Sequence, residues 1–176
     1  MAKKLRKKTA TSRTRTTKAA ATGASPAVTV EVAGTDEESF LTVLDLIVAE
    51  HAEVAWASLS PTKAAEGCYR TLSEGMTLIA RAADGTAIGT LGIVELGLWY
   101  ADETYLQDVW LYVKPEHRGG GALRAMLSKA REIADIRNKV LFVTIANPNR
   151  RLKRTKLGLV AQEAGYVPFT YSLRAA

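Results

Sequence analysis

Residues 105–137, YLQDVWLYVKPEHRGGGALRAMLSKAREIADIR, carry the strongest structural pattern in this chain. The stretch begins with branched and aromatic residues, which favour a β-strand. Three consecutive glycines follow at residues 119–121, and after them apolar side chains recur at the spacing of one helix face. That face consists of Leu123, Met126, Leu127, Ala130, Ile133 and Ala134. The stretch therefore predicts a strand, a glycine loop and the start of a helix.

The glycine loop has the features of an anion-binding site. The first backbone N–H groups of a helix have no partner within it, and they carry the positive end of the helix dipole. Glycines before them let a phosphate oxygen approach the backbone without meeting a Cβ. Arg118 adds a positive charge at the rim of the loop. The alternative interpretation is an ordinary glycine turn.

Two common nucleotide-binding loops do not fit these residues. A Walker A loop ends in Gly-Lys-Ser/Thr, whereas Gly121 is followed by Ala122. A dinucleotide fingerprint has glycine at its sixth position, and counting from Gly119 that position is Arg124.

Residues 113–123, VKPEHRGGGAL, instead resemble the coenzyme A loop of the Gcn5-related N-acetyltransferases, the GNAT superfamily. That loop is usually written Arg/Gln-x-x-Gly-x-Gly/Ala. Arg118 and Gly121 match the pattern, whereas Leu123 occupies the place of its last small residue. The preceding Val-x-Pro-Glu-x-Arg-Gly is also a common form in this family.

The resemblance implies that the cosubstrate is acetyl-CoA, or coenzyme A with another acyl group. It implies that the loop residues contact the cofactor, namely Arg118, Gly119, Gly120, Gly121, Ala122 and Leu123. In GNAT enzymes a backbone N–H on the preceding strand commonly binds the thioester oxygen, and here it would fall at Leu111, Tyr112 or Val113. Asn147 and Asn149 lie where the family often places an asparagine that contacts coenzyme A, although helix capping is their more general use.

Acyl transfer to an amine needs a group that accepts the amine proton. Family members often carry a carboxylate three or four residues before the valine equivalent to Val113, but these positions hold Trp110 and Val109. Our candidate base is Asp108, acting through a water. The alternatives are Glu103, Glu95 and Asp102, and for each of these carboxylates a surface or structural role is the competing interpretation.

The leaving thiolate benefits from an acid. The family often places a tyrosine four residues before the glycine that ends the last helix, and Ala161 occupies that position before Gly165. Tyr166 is our candidate acid, with Tyr171 and Tyr112 as alternatives.

Composition restricts the remaining possibilities. The 176 residues suit one domain, and 47% of them are hydrophobic, which is enough for a core. The single cysteine, Cys68, excludes an internal disulfide, and with only two histidines in addition we expect no metal site. No apolar run approaches the roughly 18 residues of a membrane helix, so we expect no membrane partner. An oligomer is compatible with the sequence.

The first 25 residues form a basic tail with eight lysines and arginines and no acid. Leu5 is its only branched aliphatic residue, so the tail cannot bury enough surface to order itself, and we expect it to be disordered when free. Such an arm favours binding to nucleic acid or another polyanion, and a solvated tail is the alternative. We expect a cytoplasmic location, with nuclear, mitochondrial and virion-associated locations as alternatives.

Residues 26–176 are expected to form one GNAT-like domain of the α/β class, with a mixed sheet. The predicted order is β-α-α-β-β-β-α-β-α-β, which is the GNAT order. The predicted strands lie at residues 27–32, 76–82, 86–98, 105–113, 139–146 and 166–173. A capping box at Thr35 opens the first helix, Ser60 caps the second, which runs to about Glu74, and the last helix spans about residues 150–164. The first helix is expected to bury Phe40, Leu41, Leu44, Ile47 and Val48, and the strand at 139–146 to be buried on both faces.

Charge is divided between the two halves of this domain. Residues 26–113 contain three basic and 14 acidic residues, a formal charge of −11, whereas residues 114–176 have a formal charge of +9. A basic half attracts an anionic cofactor, and an acidic half suits a cationic amine.

Our first hypothesis is therefore an acyl-CoA-dependent N-acyltransferase whose tail recruits it to nucleic acid or to an anionic assembly. The rival hypothesis keeps the fold without the chemistry, as a nucleic-acid-binding or structural assembly protein, for instance of a virion. The absent tyrosine at Ala161 and the bulky Leu123 favour the rival.

Overall fold

The structure is a computed structural model, and it describes residues 27–54 and 57–144. Its elements are β1 (Thr29–Val32), α1 (Glu37–Val54), α2 (Pro61–Glu74), β2 (Met76–Arg81), β3 (Ala87–Gly97), β4 (Thr104–Val113), a short 3-10 helix (Pro115–His117), α3 (Ala122–Ile136) and β5 (Leu141–Phe142). This order confirms the predicted one as far as it extends. The basic tail, the predicted last helix and the predicted last strand lie outside the described residues.

The five described strands form one mixed sheet. They lie in the order β1-β2-β3-β4-β5, with antiparallel neighbours from β1 to β4. β5 runs parallel to β4 and pairs with it at Leu106↔Leu141 and Gln107↔Phe142. The fold is the mixed α/β arrangement that the sequence predicts.

Helices cover both faces of the sheet. On one face α3 packs Met126, Ala130 and Ala134 against strand residues such as Leu91 and Ile93. On the other face α1 and α2 pack over a second apolar cluster, which consists of Val43, Cys68, Leu72, Ile79 and Trp110. The end of β4 therefore lies between the amino end of α3 and the carboxyl-terminal half of α1.

The start and the buried face of α1 differ from the prediction. The cap is Asp36 and not Thr35, because the Asp36 Oδ1 accepts a hydrogen bond of 2.9 Å from the Ser39 N–H. The helix buries Val43 and Leu46 fully, whereas Leu41 and Val48 are 50% and 42% exposed. Three predicted residues, Phe40, Leu44 and Ile47, do pack against the apolar cluster beneath α1. The prediction was wrong for Leu41 and Val48, and it missed Val43 and Leu46. In α2 the predicted Ser60 cap is confirmed, with its Oγ 3.5 Å from the Lys63 N–H.

The prediction that residues 139–146 form a strand buried on both faces was wrong for the described part. β5 contains only Leu141 and Phe142, and Val140 and Phe142 are 63% and 54% exposed. Val140 and Phe142 are two residues apart and lie on the same face of the sheet, which the described residues leave open to solvent at this point.

Candidate active site

Helix α3 begins without a side-chain cap, unlike α1 and α2. Its N-cap residue is Gly121, which has no side chain that could accept a hydrogen bond from the first turn. The first turn also contains no acidic residue. The intrahelical ladder begins with the Ala125 N–H, which donates to the Gly121 carbonyl at 2.9 Å. Gly121 therefore supplies no side-chain oxygen or charge to offset the positive end of the helix dipole.

The backbone of the loop requires glycine at two positions. Gly119 and Gly121 have φ values of 89° and 92°, in the left-handed region that side-chain-bearing residues rarely adopt. At Gly120 an added Cβ would lie 3.2 Å from the His117 carbonyl oxygen, which is a tight contact. The glycine run is thus more than an unspecific flexible linker, because its conformation sets the direction in which α3 starts.

Arg118 is engaged by the protein itself. Its Nη1 and Nη2 donate to the two carboxylate oxygens of Glu53 at 2.6 and 2.5 Å, and its Nε donates to the Val113 carbonyl at 2.9 Å. The guanidinium also lies 5.7 Å from the centre of the Tyr112 ring. The hydrogen bonds to Arg118 hold the pKa of Glu53 below its usual value. The sequence suggested an unshared positive charge at the rim of the loop, but in the structure the Glu53 carboxylate neutralises it.

The backbone direction along β4 selects two candidate amides. Lys114 donates its N–H to the Ile88 carbonyl on the β3 side at 2.9 Å. Alternate residues of an antiparallel strand direct their backbone groups to opposite sides, so Tyr112 also faces β3. Leu111 and Val113 therefore direct their N–H groups away from β3, towards the side on which β5 lies. Within the described residues β5 pairs with β4 only at Leu106 and Gln107 and not at this end.

A bulge interrupts β4 just before these amides. Gly92 pairs with Trp110 and Ile93 pairs with Asp108, so Val109 has no partner on β3 in the described sheet. The Trp110 indole lies against Gly92, where an added Cβ would collide with it, and its Nε1 donates to the Thr90 hydroxyl at 3.2 Å. A bulge of this kind bends the strand and changes the direction of the residues beside it.

Asp108 joins β4 to the chain that follows β5. Its side chain is buried, and its Oδ1 accepts a hydrogen bond of 2.8 Å from the Thr144 N–H. Burial raises the pKa of Asp108, and the hydrogen bond from Thr144 opposes that rise. The Thr144 N–H is thus bonded by the Asp108 side chain, whereas in a regular parallel ladder it would be bonded by a backbone carbonyl of β4.

Glu50 on α1 is a candidate that the sequence reasoning missed. α1 packs across β3 and β4, and the Glu50 carboxyl is half-buried there. Loss of hydration raises its pKa from 4.5 to about 7, and the negative charges of Asp108 and Glu53 add to the effect. A signal was present in the sequence, because Glu50 follows Val43 and Leu46 at the spacing of the buried helix face.

The other sequence candidates have different surroundings. Glu103 is exposed in the β3–β4 connection, where its carbonyl accepts a hydrogen bond of 3.1 Å from the Leu98 N–H. Glu95 is exposed and forms an ion pair of 2.9 Å with Lys139. Leu123 is half-buried and packs against the core on the α3 face. Asn147, Asn149, Ala161, Tyr166 and Tyr171 lie outside the described residues.

Tyr112 is buried beside the loop. Burial raises the pKa of its hydroxyl, and the nearby Glu53 carboxylate raises it further. The phenol therefore keeps its proton at neutral pH and retains the ability to donate it.

Residues 27–54 and 57–144 contain neither a metal-binding cluster nor a membrane-spanning helix. No group of three or more histidine, cysteine, aspartate or glutamate side chains there could hold a metal ion. None of the helices in the same ranges is long and apolar enough to span a membrane. Burial raises the pKa of the Cys68 thiol to about 11, so this cysteine is not an activated nucleophile.

Comparison with known proteins gives the family. The family model described as the acetyltransferase (GNAT) family matches residues 43–155, which is more than half of the chain. The chain belongs to the GNAT acetyltransferase family. Its matched region includes α3, the glycine loop, Asp108 and Glu50. No curated protein sequence matches the chain at a significant level.

Solved structures agree with the GNAT fold. A ribosomal-protein-alanine N-acetyltransferase from Brucella melitensis biovar Abortus 2308 is 18% identical, with a TM-score of 0.58 over 85% of this chain and 98% of that one. A predicted acetyltransferase from Clostridium acetobutylicum, solved with acetyl-CoA, is 13% identical, with a TM-score of 0.63 over 85% and 96%. An aminoglycoside acetyltransferase from an uncultured soil metagenomic sample, in complex with sisomicin, is 14% identical, with a TM-score of 0.58 over 84% and 97%. At these identities the likeness shows the fold alone.

Proposed function

We propose that this protein is an acyl-CoA-dependent N-acyltransferase that transfers an acetyl group from acetyl-CoA to an amine. The observation that supports this most strongly is the glycine N-cap of α3, reached through Gly119 and Gly121 at positive φ, in a chain of the GNAT family. The first backbone N–H groups of a helix, at the positive end of its dipole, suit the diphosphate of coenzyme A.

The cofactor would be held mainly by the backbone. Because Glu53 neutralises Arg118 and the Gly120 N–H already donates to the His117 carbonyl, the diphosphate would depend on the N–H groups of Ala122 and Leu123 and on the helix dipole. The thioester oxygen would accept a hydrogen bond from Leu111 or Val113, whose N–H groups face away from β3. Such donors stabilise the negative charge that develops on that oxygen during acyl transfer. Asn147 and Asn149 remain further candidates for cofactor contacts.

Glu50 is the residue we propose as the general base, with Asp108 beside it. An amine is protonated at neutral pH, and it must lose a proton before it can form the new C–N bond while the C–S bond of the thioester breaks. A carboxylate with a pKa of about 7 is well matched to that proton transfer. Asp108 keeps this region negative, although its hydrogen bond to Thr144 makes it in part structural. Glu103 is the alternative base from the sequence.

The thiolate that leaves would take a proton from Tyr112 or Tyr166. Tyr112 is buried beside the cofactor loop with its proton retained. The acceptor would be a cation attracted by the acidic residues of α1 and β4, in agreement with the formal charge of −11 over residues 26–113.

We also propose that residues 26–176 are the catalytic domain and that residues 1–25 recruit it to nucleic acid or a similar polyanion. The support is the tail's eight basic residues and its lack of any acid. Counterion release would make this binding weaken steeply with salt.

The test is calorimetry with acetyl-CoA, using two matched glycine variants. Gly120→Glu places a negative side chain in the loop, and Gly97→Glu places the same side chain at the exposed end of β3, where an added Cβ meets nothing within 4 Å. We expect micromolar binding for the wild-type chain and Gly97→Glu and none for Gly120→Glu. A wild-type chain that binds DNA in a salt-sensitive way but does not bind acetyl-CoA would support the non-catalytic alternative.

A further inference from the structure

The guanidinium of Arg118 links three parts of the protein. Its Nε bonds the Val113 carbonyl at the end of β4, and its two terminal nitrogens bond both carboxylate oxygens of Glu53 in the last turn of α1. The two ion-pair partners are separated by 65 residues in sequence. All three nitrogens of the side chain therefore have a partner within the protein, and the two partner residues belong to different elements, β4 and α1.

The geometry of this pair distinguishes it from an ordinary surface ion pair. Exposed pairs with a single contact often contribute nothing measurable, because two flexible side chains lose entropy to form them. A bidentate arginine–carboxylate pair fixes both planes at once, and the third bond to Val113 restrains the arginine further. The side chains of Arg118 and Glu53 are 46% and 40% exposed, so both are partly removed from water.

We propose that Glu53 is a positioning residue for the cofactor loop. By holding Arg118, it fixes residues 114–121 against the end of β4, so that the N–H groups at the start of α3 keep one direction before the cofactor arrives. Preorganisation of this kind increases affinity by reducing the ordering that binding requires. This inference rests on the proposed function, because it assigns a purpose to the order of that loop.

The Arg118–Glu53 ion pair also sets the distance between the proposed base and the cofactor loop. Glu50 lies three residues before Glu53 on α1, about one helical turn away. A contact that ties this turn to the cofactor loop also ties the proposed base to the acyl donor. Loss of Glu53 should therefore affect cofactor binding first and the chemical step second.

The first experiment needs no ligand. Hydrogen–deuterium exchange of residues 114–123 is compared between the wild-type chain, Glu53→Gln and Asp45→Asn, an exposed carboxylate on the same helix that serves as the matched control. We expect exchange about fivefold faster in Glu53→Gln and unchanged in Asp45→Asn. The exchanged pair Glu53→Arg with Arg118→Glu should slow the loop again relative to Arg118→Glu alone. Equal exchange in Glu53→Gln and the wild-type chain would overturn the proposal.

The second experiment measures the cofactor directly. In Glu53→Gln the Kd and the KM for acetyl-CoA should rise about tenfold, with kcat reduced less than about threefold, whereas Asp45→Asn should match the wild-type values. Wild-type affinity in Glu53→Gln would overturn the positioning role. If the wild-type chain itself does not bind acetyl-CoA, the proposed function fails, and the exchange measurement alone decides whether Glu53 orders the loop.

Discussion

The buried carboxyl of Glu50 predicts a protein that becomes more stable when a functional residue is removed. In the folded state Glu50 keeps its proton up to about pH 7, whereas the ordinary value is 4.5. Between these values the folded chain binds more protons than the unfolded chain, so its stability falls as the pH rises. The stabilisation is complete below about pH 4.5 and is lost above about pH 7. The Glu50→Gln side chain has no titratable proton, so the stability of this variant should not fall over that pH range.

The size of the effect follows from the pKa. One pKa unit corresponds to about 1.36 kcal/mol. The rise to about 7 therefore sets an upper bound of about 3 kcal/mol on the stability that the folded chain loses when Glu50 ionises. Because the carboxyl is only half-buried, solvent screening reduces this to about 1–2 kcal/mol. We therefore expect Glu50→Gln to exceed the wild-type free energy of unfolding by about 1–2 kcal/mol at pH 8, and to match it near pH 4.5.

Urea denaturation followed by tryptophan fluorescence measures this difference at the two pH values. The matched control is Glu66→Gln, an exposed carboxylate on α2, which should change stability by less than about 0.5 kcal/mol at both. If Glu50 is the base, the more stable variant should also lose about 10²- to 10⁴-fold in acetyl transfer. An unchanged or lower stability at pH 8 would refute the argument from burial. Retained activity in a stabilised variant would refute only the catalytic role.

Three further changes test other parts of the structure. Gly121→Ala places a side chain on a residue with φ 92° and should lower the free energy of unfolding by about 1–2 kcal/mol. Calorimetry would detect this as a Tm lower by about 2–8 °C, and an unchanged Tm would mean that the loop has another conformation. Asp108→Ala leaves the Thr144 N–H without its partner and should destabilise the protein by about 1–3 kcal/mol, whereas a loss below about 0.5 kcal/mol in urea denaturation would show that Asp108 does not hold this part of the chain. Deletion of residues 1–25 should abolish salt-sensitive DNA binding in fluorescence anisotropy and leave acetyl-CoA binding intact; full DNA affinity without the tail would contradict the recruitment proposal.

The order of the elements and the glycine loop could be predicted from the sequence because both depend on local rules. Period-two and helical patterns marked the strands and helices, and Ser60 and Pro61 marked the start of α2. The conformation of the loop follows from its glycines, since Gly119 and Gly121 adopt φ values that other residues disfavour. The cap of the first helix was predicted one residue too early, because Thr35 and Asp36 are adjacent residues that can both cap, and the choice between them depends on the direction in which the chain leaves β1.

The site itself depends on contacts between distant segments, which these patterns do not report. Nothing near Arg118 in the sequence indicates that Glu53 is its partner, so its charge was interpreted as available for phosphate. The bulge at Val109 arises from the pairing of β3 with β4, and simple alternation along β4 could not show it. Glu50 has a raised pKa because α1 packs over β4, which buries the Glu50 carboxyl and also brings it near Asp108.

The central claim is that the amino end of α3 binds the diphosphate of acetyl-CoA. The most direct measurement is a titration of the ¹⁵N-labelled full-length chain with coenzyme A, followed by the backbone amide shifts in NMR spectra. The account predicts that the largest shifts occur at residues 119–123 and that they saturate at one equivalent. Saturable shifts confined to another surface, or no shifts at millimolar coenzyme A, would contradict it.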